Sequence, residues 1–182
     1  MAFNINEMRA GLVGGGARPS QFEVIITNPI SSIADIKVPI MCKGSQIPGY
    51  SIGKIEIPYF GRKIPIPGDR VINDWTVTII NDETFDIRNA LETWHNAMNS
   101  QQGNIATRGS APSLYTSQAT VRQFGKDGTV IRTYEINGIF PMDITPIDLS
   151  WESVDQIEEF QVTWAASDIA VVGGNSGDAG GT

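Results

Sequence analysis

Residues that build metal and redox centres are scarce in this 182-residue chain, which contains one cysteine, Cys42, and one histidine, His95. A single cysteine cannot close a disulfide within the chain, and one thiol with one imidazole is too few for a structural zinc site. The chain also lacks the run of roughly 20 apolar residues that spans a bilayer. We therefore expect no metal, no cofactor and no membrane binding by the chain itself.

A secretory signal is also missing, because residues 1–18 show no basic region followed by an apolar run. Together with the lone thiol, this is what we expect of a protein that is made and folded in a reducing cytoplasm.

Positive charge is in the minority. The chain has 13 Lys or Arg against 20 Asp or Glu, a net charge of −7. Residues 1–80 contain eight basic and six acidic side chains, whereas residues 81–182 contain five and fourteen. Because binding to nucleic acid requires cations that neutralise phosphates, this balance argues against a DNA-binding protein. It is compatible with a wall past which DNA moves without adhering.

Two short motifs match patterns of known chemistry only in part. Residues 49–53 fit the serine-hydrolase pattern G-x-S-x-G, which requires Ser51 on a strand-to-helix turn and a histidine base. Here strand-like and proline-rich sequence follows Ser51, and His95 lies on the polar side of a predicted helix. The glycine-rich residues 11–16 lack the Lys-Ser/Thr of a phosphate loop. We therefore expect no enzymatic activity.

An acidic cluster near the C-terminus lacks the regular spacing of a calcium-binding loop, so we interpret it as a solvated face. Its members are Glu152, Asp155, Glu158 and Glu159.

Most of the chain alternates apolar and polar residues, which is typical of antiparallel strands with one buried face. Lys126-Asp127-Gly128 is typical of a hairpin turn between two of them. Pro39 predicts an interruption, a bulge or an edge position in the second strand. The predicted strands are 22–27, 35–43, the residues around Glu56, 75–80, and later segments containing Val121, Tyr134, Phe160, Val162 and Trp164.

One amphipathic helix is predicted after Asn81 or Asp82, either of which can cap its first turn. Its apolar stripe follows helical spacing, and Gly103 is a plausible end. The stripe consists of Ile87, Leu91, Trp94 and Met98. The predicted fold is therefore mainly β, in the α+β class: an antiparallel β-sandwich or small barrel with one amphipathic helix, and with Trp75 and Trp94 in its core.

The chain has glycine-rich ends that offer little side-chain surface to bury. We predict a single domain over residues 17–172, a flexible N-terminal segment over 1–16 and a flexible tail over 173–182.

Residues 44–69 are predicted to form a long loop, yet this loop is unusually apolar. It contains four prolines and nine large apolar or aromatic side chains, more than a solvated loop normally exposes. Either it folds back on its own domain or another chain covers it. Its charged groups, Gly61-Arg62-Lys63 and Gly68-Asp69-Arg70, could bind phosphate, but we favour ion pairs between subunits because the C-terminal half is acidic.

The same segment resembles the tail tube proteins of T4-like contractile phages, and the similarity extends over about residues 17–165. Weaker similarity lies at Ala17-Arg18-Pro19, Cys42-Lys43, the predicted helix and the late strands. The run that carries the resemblance is Gly61-Arg62-Lys63, Gly68-Asp69-Arg70, Asn73-Asp74-Trp75-Thr76-Val77-Thr78 and Asn81-Asp82-Glu83.

This resemblance implies a structural subunit of the inner tail tube in the virion. Six copies would close into a ring, and the rings would stack head to tail into the channel through which viral DNA is ejected. The implied partners are further copies of the chain together with sheath, baseplate and tail-length or terminator proteins. The expected inter-subunit residues are Tyr59, Phe60, Arg62, Lys63, Asp69 and Arg70, and candidates for the lumen are Lys37, Lys54 and Glu56.

Three alternatives remain open from the sequence. A tube subunit of a contractile secretion system or of a phage-derived bacteriocin would have a similar sequence pattern. A ligand-binding β-sandwich module would stay monomeric and contain an aromatic-lined cleft. A small hydrolase would depend on Ser51.

Overall fold

The computed structural model describes residues 4–173, in which nine strands and three α-helices form the regular structure. Short 3-10 turns occupy Val13–Gly15 and Pro112–Leu114. The helices are α1 (Ile5–Gly11), α2 (Ile33–Met41) and α3 (Asp86–Met98). The strands are β1 (Phe22–Ile26), β2 (Cys42–Ser45), β3 (Tyr50–Tyr59), β4 (Arg62–Ile72), β5 (Trp75–Ile80), β6 (Ser117–Phe124), β7 (Val130–Ile144), β8 (Glu159–Ala165) and β9 (Asp168–Val171).

Seven strands form one antiparallel sheet, and β3 and β4 form a separate two-stranded hairpin. The order in the large sheet is β1-β6-β7-β8-β5-β2, with β9 paired to β7. β1 and β2, at the two ends of this order, lie close together, so the sheet curls towards closure. The prediction of a mainly antiparallel β fold is confirmed.

The long strand β7 joins the two halves of the sheet and bends at Gly138. Before the bend β7 pairs with β6 and β9, and after it with β8. Gly138 has a φ of 64°, and the register with β6 shifts beside it. A positive φ is easy only for glycine, so this residue lets β7 change direction.

The core lies between the two halves and beneath α3. Trp164 of β8 is fully buried and contacts both Trp75 of β5 and Trp94 of α3, with ring centroids 6.4 and 5.4 Å apart. The predicted core positions of Trp75 and Trp94 are therefore confirmed. The predicted turn at residues 126–128 is also confirmed, since it connects β6 to β7.

Helix α3 confirms the predicted amphipathic helix, although it starts later than expected. Ile87, Leu91 and Trp94 are buried, as the stripe requires. Asp82 lies four residues before the first residue of the helix and still caps it, because its Oδ1 accepts a hydrogen bond from the backbone N–H of Asp86. The helix ends at Met98, before Gly103.

The strand predicted over residues 35–43 is wrong, because most of this segment is helix α2. Ala34 and Val38, one helical turn apart, are its buried residues, while the intervening Ile36 points to solvent. Pro39 lies inside the helix, where it removes one backbone donor but leaves the first turn intact. Strand pairing begins only at Cys42. The expectation of one helix is therefore also wrong.

The domain limits predicted from the sequence stay a prediction. Helix α1 lies within the segment predicted to be flexible, and each of its residues is exposed. Its flexibility stays a prediction. The predicted tail, 173–182, lies outside the described residues except for Gly173. No helix within residues 4–173 has the length and apolar character needed to cross a membrane.

Candidate assembly interface

The segment predicted as a long loop is instead a regular β-hairpin, built from β3 and β4. One hydrogen bond closes its base, and a second joins that base to a core residue of the domain. The N–H of Asn73 donates to the carbonyl of Gly49 over 3.1 Å, and Trp75 Nε1 donates to the carbonyl of Gln46 over 2.9 Å. Because Trp75 is buried in the core, the hairpin leaves the domain from a rigid base.

The two faces of the hairpin differ in chemistry. Cross-strand partners share a face, so the register places four isoleucines on one face and charged or proline residues on the other. The isoleucine face consists of Ile55 paired with Ile66 and Ile57 paired with Ile64. The opposite face consists of Lys54 paired with Pro67, Glu56 with Pro65, and Pro58 with Lys63.

Neither face is covered by the domain. All ten residues of β3 are exposed, and the four isoleucines retain between 40% and 55% of their surface in solvent. Isolated two-stranded hairpins are marginally stable in water, and an apolar face of this kind normally packs against another element. Of the two alternatives for this segment, folding back on its own domain is wrong.

The prolines are compatible with the ladder because they all occupy one class of position. In an antiparallel pair, the residues on one face have backbone N–H groups that point away from the partner strand. Pro58, Pro65 and Pro67 all lie on that face, so they remove no hydrogen bond from the ladder. Their alternate spacing, as at Pro65 and Pro67, was the signal by which the sequence could have revealed strands.

The hairpin turn contains a strained residue. Phe60 has a φ of 42° and Gly61 a φ of 78°, so both central residues of the two-residue turn have positive φ, as in a type I′ turn. Glycine adopts this conformation easily, whereas phenylalanine does so at a cost. Phe60 is 92% exposed and contacts the ring of Tyr59 at 4.7 Å. An exposed aromatic ring in a costly conformation is better explained by contact with another molecule than by folding.

The charges on the hairpin are only partly paired. Glu56 accepts hydrogen bonds from Lys54 at 2.5 Å and Lys63 at 2.7 Å, and these bonds lower the pKa of its carboxyl below the usual range. Arg70 stacks over the ring of Tyr50 at 4.7 Å. Within residues 4–173, neither Arg62 nor Arg70 has a carboxylate partner.

The structure gathers all six predicted inter-subunit residues on this hairpin. Tyr59 and Phe60 lie at its tip, and the other four lie along β4. Whether they contact another copy stays a prediction, as does the assignment of Lys54 and Glu56 to the lumen.

Lys37, the third lumen candidate, lies elsewhere and has a local structural role. It is on α2 instead of on the strand that was expected, and its Nζ binds the carboxylates of Asp82, at 2.5 Å, and Asp86. These bonds raise the pKa of Lys37 and lower the pKa of both aspartates. Lys37 thereby ties α2 to the first turn of α3.

The residues considered for catalysis are not arranged for it. Ser51 lies within strand β3 near the base of the hairpin, opposite Val71, without the strand-to-helix turn of a serine hydrolase. His95 lies on α3 against the carbonyl of Met142, at 3.5 Å. Burial raises the pKa of the Cys42 thiol to about 11, so it is protonated at neutral pH. The described part of the chain contains no cluster of three metal-ligating side chains.

Two exposed apolar surfaces were not predicted from the sequence. One is the outer face of α2, with Ile33, Ile36 and Ile40 at helical spacing. The other is the segment between β7 and β8, residues 145–158, in which Trp151 is fully exposed. The sequence indicated a solvated acidic face in this segment, but it did not indicate the exposed apolar residues between the acids.

Comparison with known proteins decides the family. The family described as phage tail tube protein matches residues 17–168 of this chain. The tail tube protein gp19 of Enterobacteria phage T4 is 37% identical over 158 residues, which cover 86% of this chain and 93% of that protein. The chain belongs to the phage tail tube protein family. The resemblance noted in the sequence is thus confirmed, and the chain is a structural component of the virion tail.

Solved structures show the same fold at low identity. The tube-terminating cap of the anti-feeding prophage superposes with a TM-score of 0.64 at 17% identity, over 86% of this chain and 91% of that chain. A chain in the extended PVC sheath–tube complex, an extracellular contractile injection system, superposes with a TM-score of 0.61 at 16% identity, over 94% and 99% of the two chains.

Membership of this family favours the phage tail among the alternatives that the sequence left open. A tail tube protein accounts for the exposed hairpin, which a monomeric ligand-binding module does not require. A structural role in the tube also agrees with the expectation that the chain is not an enzyme.

Proposed function

We propose that copies of this chain close into hexameric rings, that the rings stack head to tail into the inner tube of a contractile phage tail, and that the β3–β4 hairpin makes contacts between copies. The observation that supports this most directly is the exposed isoleucine face of the hairpin. A tube provides each copy with neighbours that bury this face.

The surface of the chain suits a directional, head-to-tail assembly. The hairpin is apolar and carries two arginines without a carboxylate partner in the part of the chain that the structure describes, whereas the chain as a whole is acidic. The hairpin is therefore suited to a different surface of the next copy, and a two-fold contact between two hairpins is not needed to bury it. Contacts between unlike surfaces close into rings or continue into stacks, depending on the rotation between copies.

The net charge of −7 suits a passive conduit for DNA. An assembled wall that is acidic on balance does not retain a phosphate polymer, since it offers few unpaired cations for counterion release. Viral DNA would pass through the lumen without specific binding.

The same assembly implies partners at its ends and outer surface. The solved structures with this fold come from a tube cap, a sheath–tube complex, a sheath and tube terminator, and a baseplate. By analogy, we propose that this tube grows from a baseplate, is stopped by a terminator and is surrounded by a sheath.

Replacing one cross-strand isoleucine pair tests the role of the hairpin. The variant Ile57→Ser with Ile64→Ser removes apolar surface from the exposed face and leaves the core untouched. We expect a folded monomer with an unchanged circular dichroism spectrum that forms no tubes in negative-stain electron microscopy.

A matched control is Ile5→Ser with Ile105→Ser, which removes two exposed isoleucines outside the hairpin. This variant should still form hollow tubes with six-fold end views. Normal tubes from the isoleucine variant, or a failure of the unaltered chain to form tubes or rings at high concentration, would contradict the proposal.

A further inference from the structure

Residues 148–158 form an exposed loop that is both acidic and apolar. Residues 148–157 are all exposed, and four large apolar side chains, Leu149, Trp151, Val154 and Ile157, alternate with acidic ones. Within residues 4–173, Asp148, Glu152 and Asp155 have no basic partner. An exposed tryptophan surrounded by unpaired carboxylates is suited to a partner surface that is apolar and basic.

The hairpin of this chain is such a surface. It exposes four isoleucines and Phe60, and its two arginines, Arg62 and Arg70, lack a carboxylate partner among the described residues. The acidic loop and the hairpin therefore complement each other in both apolar character and charge.

The two surfaces join the sheet at opposite ends of strand β5. The hairpin enters the sheet at Trp75, the first residue of β5, which pairs with Trp164. The acidic loop enters at Glu159, which pairs with Ile80, the last residue of β5. Glu158 is held there by Asn81, whose Nδ2 donates to its carboxylate over 2.9 Å. The six residues of β5 separate these two points by about 17 Å. The hairpin and the loop are both exposed, so the chain does not cover its own loop with its hairpin.

We infer that the acidic loop, residues 148–158, is the docking site for the hairpin of the next copy along the tube axis. This inference rests on the proposed head-to-tail stacking and adds the surface that receives the hairpin. Stacking in one direction brings the hairpin end of one copy against the loop end of the next. The contact covers Trp151 and sets the basic hairpin, with Arg62 at its tip and Arg70 near its base, against the acidic loop.

Complementary charge reversals test this contact. One variant carries Arg62→Glu and Arg70→Glu, and the other carries Glu152→Arg and Asp155→Arg. Each variant alone brings like charges together at every stacking contact, so neither should form tubes. In a mixture, the acidic hairpin meets the basic loop and the basic hairpin meets the acidic loop. We expect the mixture to regain tubes with both variants in alternating rings.

A control separates this local effect from net charge. The variant Glu7→Arg with Asp168→Arg has the same net charge as the loop variant but changes exposed acids outside the loop. The affinity-tagged hairpin variant should enter pelleted tubes with the loop variant and not with this control. Equal entry in both mixtures, or tubes from either stacking variant alone, would overturn the inference.

Photo-crosslinking identifies the neighbour directly and does not depend on altered charge. Benzoylphenylalanine at position 151, which preserves an aromatic side chain, should give covalent dimers in assembled tubes, joined to a peptide within residues 50–72. The same group at position 105, another exposed apolar site, should not label that peptide. Tubes in which position 151 labels only other regions would overturn the docking site and leave the proposed function intact, whereas absence of tubes from the unaltered chain would refute the proposed function.

Discussion

At the scale of single residues, the tip of the hairpin holds a side chain that the fold does not need. Phe60 has a left-handed backbone conformation and almost no contact with its own domain. A left-handed conformation costs an L-residue roughly 1–2 kcal/mol, and asparagine tolerates it better. Phe60 is therefore expected to contribute to assembly, although it lowers the stability of the isolated hairpin.

The substitution Phe60→Asn separates these two effects. We expect backbone amides of β3 and β4 in the monomer to exchange more slowly with solvent, because the turn gains up to about 1 kcal/mol. Tube assembly should decline, because the exposed ring is lost. Phe60→Tyr keeps the ring and should assemble normally. Faster amide exchange in the asparagine variant would contradict the claim of strain.

The ion pairs of Lys37 give a second prediction at this scale, one that depends on pH. Both aspartates have a folded-state pKa below their ordinary value of 3.8. Their contribution to stability is therefore complete above that value and is lost as the pH falls through the lowered folded pKa. Lys37 has a raised pKa, so its contribution is lost only as the pH rises above about 10.5.

Thermal unfolding of Lys37→Met should show this pattern. The variant should melt below the unaltered protein at pH 6 to 8, and the difference should shrink as the pH falls from about 4 to 2. Lys126→Met, in the exposed turn between β6 and β7, provides a control that should leave the melting temperature unchanged. A difference that persists undiminished at pH 2 would show that Lys37 stabilises by packing instead.

At the scale of elements, the bend in β7 shapes the sheet. A Cβ atom at Gly138 would lie 2.5 Å from Ser167 Oγ, in addition to the strain of a positive φ. The bend and the turn that follows β8 are therefore packed directly against each other.

The substitution Gly138→Ala should lower the free energy of unfolding by more than the 1–2 kcal/mol expected from backbone strain alone. Gly128→Ala is a matched control, because Gly128 also has a positive φ but has no neighbour within 4 Å of the added atom. Urea denaturation measures both variants. Adding Ser167→Gly should restore part of the loss at Gly138, and equal losses at both glycines would exclude a role for the contact.

Sequence periodicity predicted the elements whose burial is one-sided and regular. In β1, β5 and β8 fully buried residues alternate with partly buried or exposed ones, and α3 buries one stripe, so each matched its pattern. The strand predicted in place of helix α2 is wrong because Ile36 and Ile40 are exposed on either side of the buried Val38. Exposed apolar residues thus add to the sequence an alternation that does not correspond to burial within the chain.

The prediction of a long loop over residues 44–69 is wrong because of its prolines. Its prolines indicated a loop, whereas their positions in the ladder allow strands, and this distinction depends on the register. The residues predicted for the interface all lie on this hairpin, because they were chosen from the family resemblance and from its unexplained apolar surface. Their contact with another copy stays a prediction. The receiving loop was not identified, because its apolar residues fit no periodic pattern.

At the scale of the whole molecule, apolar surface is concentrated in three exposed places: the hairpin, the acidic loop and the outer face of α2. Exposed apolar patches on a soluble protein commonly mark surfaces that bind another molecule. The free chain is therefore expected to be an assembly intermediate.

A fluorescent dye that binds apolar surface, such as ANS, should report this difference. Monomers should bind ANS strongly, and its fluorescence should fall as tubes form and cover the hairpin and the loop. The Ile57→Ser, Ile64→Ser variant should bind less dye as a monomer and show no fall on concentration. Dye binding that is equal in monomers and tubes would mean that these surfaces stay open after assembly.

The position of the hairpin prolines has a consequence for how such a chain avoids misassembly. Isoleucine-rich strands are prone to stack into amyloid-like fibrils, which grow by recruiting free backbone donors at a strand margin. Pro65 and Pro67 remove two successive donors from the outer margin of β4, and Pro58 removes one from β3. The hairpin can thus offer apolar side chains to its proper neighbours while its backbone resists fibre growth as the protein accumulates during infection.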